Sequence, residues 1–259
     1  MSTDNVQLER RGDVATLRID RARALNSLDR DTLLELRTRI AELGREPVRV
    51  VLVTAAGDRV FVAGADIAAM SQMSADEART FSALGHETFD ALESLPCLTV
   101  AVVQGAALGG GCELMLACDL VIASEKARFG QPETNLGLLP GFGGCARLLR
   151  RVGPALARDL VYSGRLISAE EAQRLGLVNR VVPHDGLAAA ATAWADELAL
   201  RPPLAVARAK VALAAAESAD ARTAARVEIE AFASVFAGED AREGMGAFLE
   251  KRTPTFRGR

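Results

Sequence analysis

Three apolar segments in the first half of the chain, each followed by a glycine-rich loop, constrain its fold most. The segments are Val48–Thr54, Leu98–Val103 and Leu120–Ala123, and they consist largely of aliphatic, mainly β-branched residues. Runs of this length and composition are typical of buried strands. Stretches with helical patterns separate them, so the alternation of strand and helix predicts an α/β layered domain.

The first 95 residues predict a hairpin and two helices besides these strands. Val6–Arg10 and Val14–Ile19 flank a turn and indicate a hairpin of two strands. The helix that follows can be capped by Asp29 or Asp31. A longer helix is expected from about Ala75 to Leu95, where Pro96 ends it.

From Leu187 onward the pattern is helical, with Pro202-Pro203 at an expected helix start. We therefore divide the chain into an α/β core over residues 1–186 and a helical region over residues 187–259. The apolar faces of the helical region exceed what one pair of helices can bury. We expect this region to pack on the core or on another subunit.

Composition excludes several classes of protein. The net charge of −3 argues against a dedicated nucleic-acid binder. Residues 1–11 are polar and no uncharged apolar run reaches about 18 residues, so we expect neither a signal peptide nor a membrane span. The four cysteines form no CxxC pair, which indicates a reduced, cytoplasmic protein. The two histidines lie far apart and form no HxxxH zinc motif, so no metal site is expected.

Glycine-rich loops are the first candidates for binding. They cover Ala63–Ile67, Gly109–Glu113 and Gly137–Gly144. An N–H group at the start of a helix can hold a developing negative charge, and Gly110 lies at such a start. With a second N–H from the Ala63–Asp66 loop it would form an oxyanion hole.

A packing role for these loops stays open, whereas a phosphate-binding loop and a dinucleotide site are not indicated. Each loop could instead serve packing alone. No GxxxxGKS or GxxxxGKT sequence occurs, so a phosphate-binding loop is not indicated. No strand–GxGxxG–helix unit opens a βαβ motif, which argues against a dinucleotide site.

Two glutamates are the candidates for chemistry. Glu113 lies one turn into an apolar helix, and Glu133 lies in Gly130-Gln131-Pro132-Glu133 beside another glycine-rich loop. Apolar surroundings raise the pKa of a carboxyl group, which suits proton transfer near neutral pH. The alternatives are a helix-start acid for Glu113 and a solvated loop acid for Glu133.

Nucleophilic catalysis is less well supported. No GxSxG motif is present, and neither His86 nor His184 has an evident serine or cysteine partner. Cys112 adjoins the proposed site, but a small buried thiol more often serves packing.

The chain resembles the crotonase superfamily, and within it the enoyl-CoA hydratases, from about Val6 to Arg257. The most specific stretches are Phe61–Ile67, Gly105–Asp119 (GAALGGGCELMLACD), Phe129–Gly144 (FGQPETNLGLLPGFGG) and Phe248–Arg252 (FLEKR). The resemblance implies a ClpP/crotonase-like α/β fold, in which a spiral of ββα units forms two roughly perpendicular sheets. A helical trimerisation region would follow, giving a homotrimer or a dimer of trimers.

The resemblance also implies catalytic roles. The N–H groups of Ala65 and Gly110 match the oxyanion hole for the thioester carbonyl. Glu113 matches the glutamate that we assign to water activation, and Glu133 the one that we assign to protonating the alpha carbon. Gly141 matches the glycine whose backbone seats the water.

Further positions match the binding track of coenzyme A, which is part of the substrate and not a separate cofactor. They are Ala24, Leu25, Ala63, Asp66, Ile67 and Lys251, the last from the tail motif, from which it would reach the phosphates of coenzyme A, including those bound to a neighbouring subunit. No metal or redox cofactor is required by such a mechanism. The expected partner is an acyl-CoA, with no nucleic acid or membrane.

Some positions depart from the family pattern. Cys145 stands where a threonine is common, which we expect to change only packing. Arg21-Ala22-Arg23 replaces an Arg-Pro-Lys-like run; we expect this to alter the details of the contacts with the phosphates of coenzyme A, although Arg23 keeps the charge. Two rival functions remain at this point: an enoyl-CoA isomerase, which needs one carboxylate, and a scaffold or RNA-binding protein without catalysis. The presence of both glutamates favours the hydratase.

Overall fold

Two sheets form the framework of the protein in the computed structural model, which describes residues 5–45 and 47–259. In spatial order, the six-stranded sheet contains β1 (Val6–Arg11), β2 (Val14–Ile19), β3 (Val50–Ala55), β5 (Leu98–Val103), β7 (Leu120–Ser124) and β10 (Arg180–Val182). The four-stranded sheet contains β4 (Val60–Val62), β6 (Ala106–Leu108), β8 (Arg128–Gly130) and β9 (Ile167–Ser168).

Helices follow or flank these strands. They are α1 (Arg30–Leu43), α2 (Ile67–Met70), α3 (Ala75–Glu93), α4 (Gly110–Leu116), α5 (Gly144–Ser163), α6 (Ala169–Arg174), α7 (Leu187–Ala199), α8 (Pro203–Ser218), α9 (Ala221–Phe236) and α10 (Glu239–Glu250). Helix α5 is interrupted at Gly153, which lies directly before Pro154 and has a non-helical backbone.

The chain winds as a spiral in which each turn gives one strand to each sheet. Strands β3, β5 and β7 pair in parallel in the large sheet, and β4, β6 and β8 pair in parallel in the small one. A helix or 3₁₀ turn follows each pair of strands. This topology confirms the predicted spiral of ββα units. Because β4, β6 and β8 are parallel, the loops after them meet at one edge of the small sheet.

The main core lies between the two sheets and helices α1, α3, α4 and α5. Its largest fully buried side chains include Phe61, Phe89 and Phe129. A second apolar cluster lies between the six-stranded sheet and α7, where Trp194 packs with Leu187 and residues of β3, β5 and β7. Helix α7 therefore packs on the core, as expected for part of the helical region.

Several predicted elements are confirmed. The hairpin forms with Val6 opposite Ile19. Asp29, the first of the two candidate caps, accepts the Thr32 N–H at 2.8 Å and begins α1. Pro203 is the first residue of α8.

The expectation that a glycine-rich loop directly follows each apolar segment was partly wrong. Strand β4 lies between β3 and the Ala63–Ile67 loop, and β6 lies between β5 and the Gly109–Glu113 loop. Each of these strands has three residues, which is too short for a periodic pattern. They form because a neighbouring parallel strand supplies their hydrogen bonds.

The last three helices are joined to the core at few points. Lys210 on α8 donates to Asp119 Oδ2 at 2.8 Å and to the Cys97 carbonyl at 2.9 Å. These helices also carry large apolar side chains that are exposed in the single chain: Val211, Leu213, Ile229, Phe232, Phe236, Met245, Phe248 and Leu249. The division at residues 186 and 187 stays a prediction.

The sequence predicted neither a membrane span nor a signal peptide. Within residues 5–45 and 47–259, no helix is both long enough and apolar enough to cross a membrane. Residues 1–4, which belong to the segment assessed for a signal peptide, lie outside the described residues.

Candidate active site

The loops after β4 and β6 bring two backbone amides together. Leu28 holds the first loop, since its N–H donates to the Gly64 carbonyl at 2.8 Å and its carbonyl accepts the Asp66 N–H at 2.9 Å. A Cβ atom added to Gly110 would lie 3.3 Å from the Ala65 nitrogen. The amides of Ala65 and Gly110 are therefore neighbours, the second at the start of α4.

Both amides are available to a ligand. Among the residues that the structure describes, neither the Ala65 nor the Gly110 N–H donates to a backbone or side-chain acceptor. Gly110 is the first residue of α4, where an N–H has no partner within its own helix. Two adjacent N–H donors of this kind can bind an oxygen that gains negative charge.

Glu113 projects from α4 into the core and is held by the loop before α5. Glu113 is only 1% exposed. The Oε1 atom accepts N–H groups from Phe142 at 2.8 Å and from Gly144 at 2.7 Å. Both bonds go to one carboxyl oxygen, which leaves Oε2 for a reacting molecule.

Burial controls the protonation of Glu113. Desolvation is the largest effect and raises the pKa of this carboxyl to about 7. The two backbone N–H groups oppose that rise, as does the positive charge of Arg147, whereas the nearby charge of Glu133 adds to it. Near neutral pH the group can therefore both take and release a proton.

Glu133 lies on the opposite loop, in a 3₁₀ turn over Pro132–Leu136 that follows β8. The residue is half-buried, and burial raises the pKa of its carboxyl. Gly109 lies directly against it: with φ at +50°, a Cβ atom there would approach Glu133 Oε1 to 2.8 Å. Glycine is needed at this position for both reasons.

Gln131 is a buried side chain beside Glu133 that the sequence did not single out. With its amide nitrogen turned toward Glu133, it donates to Oε1 at 3.0 Å and to Oε2 at 3.3 Å. A Cβ atom on Gly144 would lie 2.6 Å from the same amide and 2.8 Å from Glu113 Oε1. The two glutamates thus line one small region, and the burial of Gln131 beside them follows from tertiary packing that the sequence does not reveal.

Gly141 precedes the residues that hold Glu113. Its carbonyl accepts the Ser82 hydroxyl at 2.6 Å, which connects the loop to α3. Ser82 was also missed, because nothing in its sequence neighbourhood distinguishes it from other polar residues of an amphipathic helix.

The predicted coenzyme A positions fall into two groups. Ala24 and Leu25 lie beside the loop Ala63–Asp66, called here the oxyanion loop, since the Ala63 N–H donates to the Leu25 carbonyl at 3.2 Å. Leu25 and Ile67 are 56% and 49% exposed and can contact a ligand. Lys251 lies elsewhere in the chain, exposed at the end of α10.

Asp66 has structural partners. Its carboxylate accepts the Ala69 N–H at 3.2 Å, which caps α2, and it lies 3.7 Å from Arg21 Nη2. These contacts hold the oxyanion loop on its outer side. Its contact with substrate stays a prediction.

The expectation that neither histidine has a serine partner was wrong for His184. His184 does have a serine partner, because its Nδ1 lies 2.9 Å from Ser124 Oγ. Ser124 is fully buried and also accepts the Lys126 N–H, so it is not accessible to a substrate. Cys112 is buried as well, and burial raises the pKa of its thiol.

The arrangement agrees with comparisons to known proteins. The model of the enoyl-CoA hydratase/isomerase family matches residues 9–259. The chain is 44% identical over 257 residues to a crotonyl-CoA hydratase of Syntrophomonas wolfei, covering 99% of each chain. It is 45% identical over 253 residues to a short-chain-enoyl-CoA hydratase of Clostridium acetobutylicum, covering 97% of each.

Solved structures give the same result. The crystal structure of an enoyl-CoA hydratase from Bacillus anthracis superposes with a TM-score of 0.94 at 38% identity, covering 98% of this chain and all of that one. A corresponding enzyme from Geobacillus kaustophilus gives a TM-score of 0.93, also at 38% identity, covering 98% of each chain.

The burial of Glu113 predicts a dependence of stability on pH. A raised pKa in the folded state means that this group stabilises the fold most below its unfolded pKa, and that the contribution is lost as pH rises through about 7. Glu113→Gln keeps both N–H bonds but carries no charge. The variant should therefore equal the wild type near pH 4 and exceed it by about 1–3 kcal/mol at pH 8.

Chemical denaturation at the two pH values, at one protein concentration, measures this difference. Glu125→Gln, at an exposed position after β7, is the control and should show no such trend. An equal effect of Glu113→Gln at both pH values would contradict the account of Glu113.

Proposed function

The chain belongs to the enoyl-CoA hydratase/isomerase family and is an enoyl-CoA hydratase of the crotonase superfamily, and we propose that Glu113 and Glu133 catalyse its reaction. The reaction is the reversible syn addition of water to a 2-trans-enoyl-CoA, which gives a 3-hydroxyacyl-CoA. One observation carries the assignment: two carboxyl groups in different environments line a single region beside two free backbone N–H groups.

The oxyanion hole acts first in this mechanism. The N–H groups of Ala65 and Gly110 bind the thioester oxygen and draw electron density from the double bond. The beta carbon becomes electrophilic as a result. Loss of one such donor lowers turnover by about 10²–10³ in comparable sites.

Glu113 and Glu133 then move two protons. Water, seated by the backbone of Gly141, gives a proton to Glu113 as its oxygen bonds to the beta carbon. The electron pair of the double bond moves toward the thioester oxygen. Glu133 protonates the alpha carbon and the thioester carbonyl reforms. Proton exchange between the two carboxyl groups restores the starting state, and no further cofactor enters the balance.

The protonation states suit these roles. Two negative charges in one small region oppose each other, so one carboxyl group retains a proton. Burial raises the pKa of both Glu113 and Glu133, and the Glu113 value of about 7 allows that group to act as a base near neutral pH. The pair titrates as a unit.

Binding of the substrate is proposed along one face. Ala24, Leu25, Ala63, Asp66 and Ile67 would line the adenine and pantetheine track of coenzyme A, and Lys251 would reach a phosphate of coenzyme A. The names of the two relatives, crotonyl-CoA hydratase and short-chain-enoyl-CoA hydratase, support a short acyl chain.

A reducing, cytoplasmic location is supported by the free thiols of all four cysteines.

Substitution of either glutamate tests the catalytic assignment. Glu113→Gln and Glu133→Gln should each lower kcat for crotonyl-CoA by about 10²–10⁴, because each removes one proton-transfer step. Loss of the absorbance of the conjugated thioester measures the rate. Binding of coenzyme A, followed by calorimetry, should be unchanged in both variants.

Glu125→Gln is the control, since this residue is exposed at the end of β7, and its kcat should match the wild type within about twofold. Retention of wild-type turnover in either active-site variant would refute the role given to that glutamate.

We also propose that the chain assembles as a homotrimer or a dimer of trimers through α8, α9 and α10. The large apolar side chains exposed on these helices, among them the stacked pair Phe232 and Phe236, support an interface between copies. Phe248, 82% exposed in the single chain, extends the same character to α10.

Sedimentation velocity tests the assembly. The wild type should sediment at three or six times the chain mass of 27.4 kDa. Phe232→Glu with Phe236→Glu should shift it toward the monomer, because charged groups would be buried at the interface. Tyr162→Glu, at an exposed position of α5, is the control. A monomeric wild type at micromolar concentration would exclude the proposal.

A further inference from the structure

We propose that Arg147 is a positioning residue for catalysis: through the Phe142 carbonyl it holds the loop whose amides orient the Glu113 carboxylate. The inference rests on the proposed role of Glu113. It assigns a function in the reaction to a residue that contacts neither glutamate by a hydrogen bond.

The contacts of Phe142 form the central step. Its N–H donates to Glu113 Oε1 at 2.8 Å, and its carbonyl accepts Arg147 Nη1 at 2.9 Å. One residue therefore connects the guanidinium to the carboxylate. A displacement of Phe142 toward or away from Arg147 would move the amide that holds Glu113.

Arg147 is itself fixed by helix α3. Its side chain is 4% exposed, and its Nε donates to Glu93 at 2.8 Å while Nη2 pairs with Asp90. Each of its three nitrogens thus has a partner. A buried charge is costly unless it is paired, so Asp90 and Glu93 permit a guanidinium behind the loop.

The loop lies directly on the guanidinium. Gly143 has φ at +100°, and a Cβ atom there would approach Arg147 Nη1 to 2.2 Å and the His86 ring carbon Cε1 to 3.4 Å. No side chain fits between loop and arginine. The Phe142 ring adds a second anchor on α3 through edge contacts with Phe81 and Phe89, at centroid distances of 5.2 and 5.8 Å.

The charges around the site determine how a change at Arg147 shifts the pKa of Glu113. Glu113 is faced by Glu133 from the 3₁₀ turn and by Arg147 and Cys145 from α5, with Cys112 beside it on α4. Arg147 in turn is faced by Asp90, Glu93 and His86 of α3. The positive charge of Arg147 lowers the pKa of Glu113, so its removal should raise that pKa.

Two variants of Arg147 separate position from charge. Arg147→Met removes both, and kcat for crotonyl-CoA should fall at least about tenfold while KM changes by less than about threefold. The acidic limb of the kcat profile should move to higher pH. Arg147→Lys keeps the charge, so the limb should stay near the wild-type position while kcat recovers in part.

Arg150→Met is the matched control. Arg150 lies on the same helix and pairs with Glu93 and Glu217, but it does not contact Phe142. Its kcat, KM and pH profile should remain those of the wild type. A folded Arg147→Met protein with wild-type kcat and an unmoved acidic limb would overturn the inference.

A second variant decides the matter if Arg147→Met does not fold. Asp90→Asn with Glu93→Gln loosens Arg147 while leaving its side chain in place, and should lower kcat at least about threefold with KM unchanged. Wild-type kcat in this folded variant would equally overturn the inference. Full activity of Glu113→Gln would instead refute the proposed function, which keeps the two failures distinct.

Discussion

The two backbone N–H groups that meet on Glu113 Oε1 are the interaction on which the rest of the site depends. A carboxylate with 1% exposure would be neutral at physiological pH without such donors, because desolvation strongly penalises its charge. Hydrogen bonds from Phe142 and Gly144 offset part of that penalty, at about 1.5–3 kcal/mol each for bonds to a charged group. The outcome is a pKa of about 7, a value at which Glu113 can alternate between base and acid.

The spiral of ββα units explains why such a site can form. Strands β4, β6 and β8 run parallel, and the loops that follow them carry Ala65, Gly110 and Glu133 respectively. Helix α4 then supplies Glu113, and the start of α5 supplies the amides that hold it. Each turn of the spiral contributes one component, so the geometry depends on the packing of successive turns. Helix α3 stabilises the last component from behind, through Arg147 and the Phe142 ring.

Much of this could be predicted from the sequence, and the exceptions have physical reasons. The long strands and helices have clear periodicity, and the crotonase motifs predicted the family and the ββα fold. Strands β4 and β6 were missed because three residues carry no period and their hydrogen bonds come from distant neighbours. Gln131, Ser82 and Arg147 were missed because their roles arise only from tertiary contacts. The roles of the coenzyme A positions and of Lys251 stay predictions.

The crystal structure of a complex with a 3-hydroxyacyl-CoA product tests the central claim most directly. The account predicts the thioester oxygen within about 2.7–3.1 Å of both the Ala65 and Gly110 nitrogens. It also predicts the product hydroxyl within about 2.6–3.2 Å of one carboxyl oxygen of Glu113 and one of Glu133. A thioester oxygen bound away from these amides, or a hydroxyl that contacts only one of the two glutamates, would contradict it.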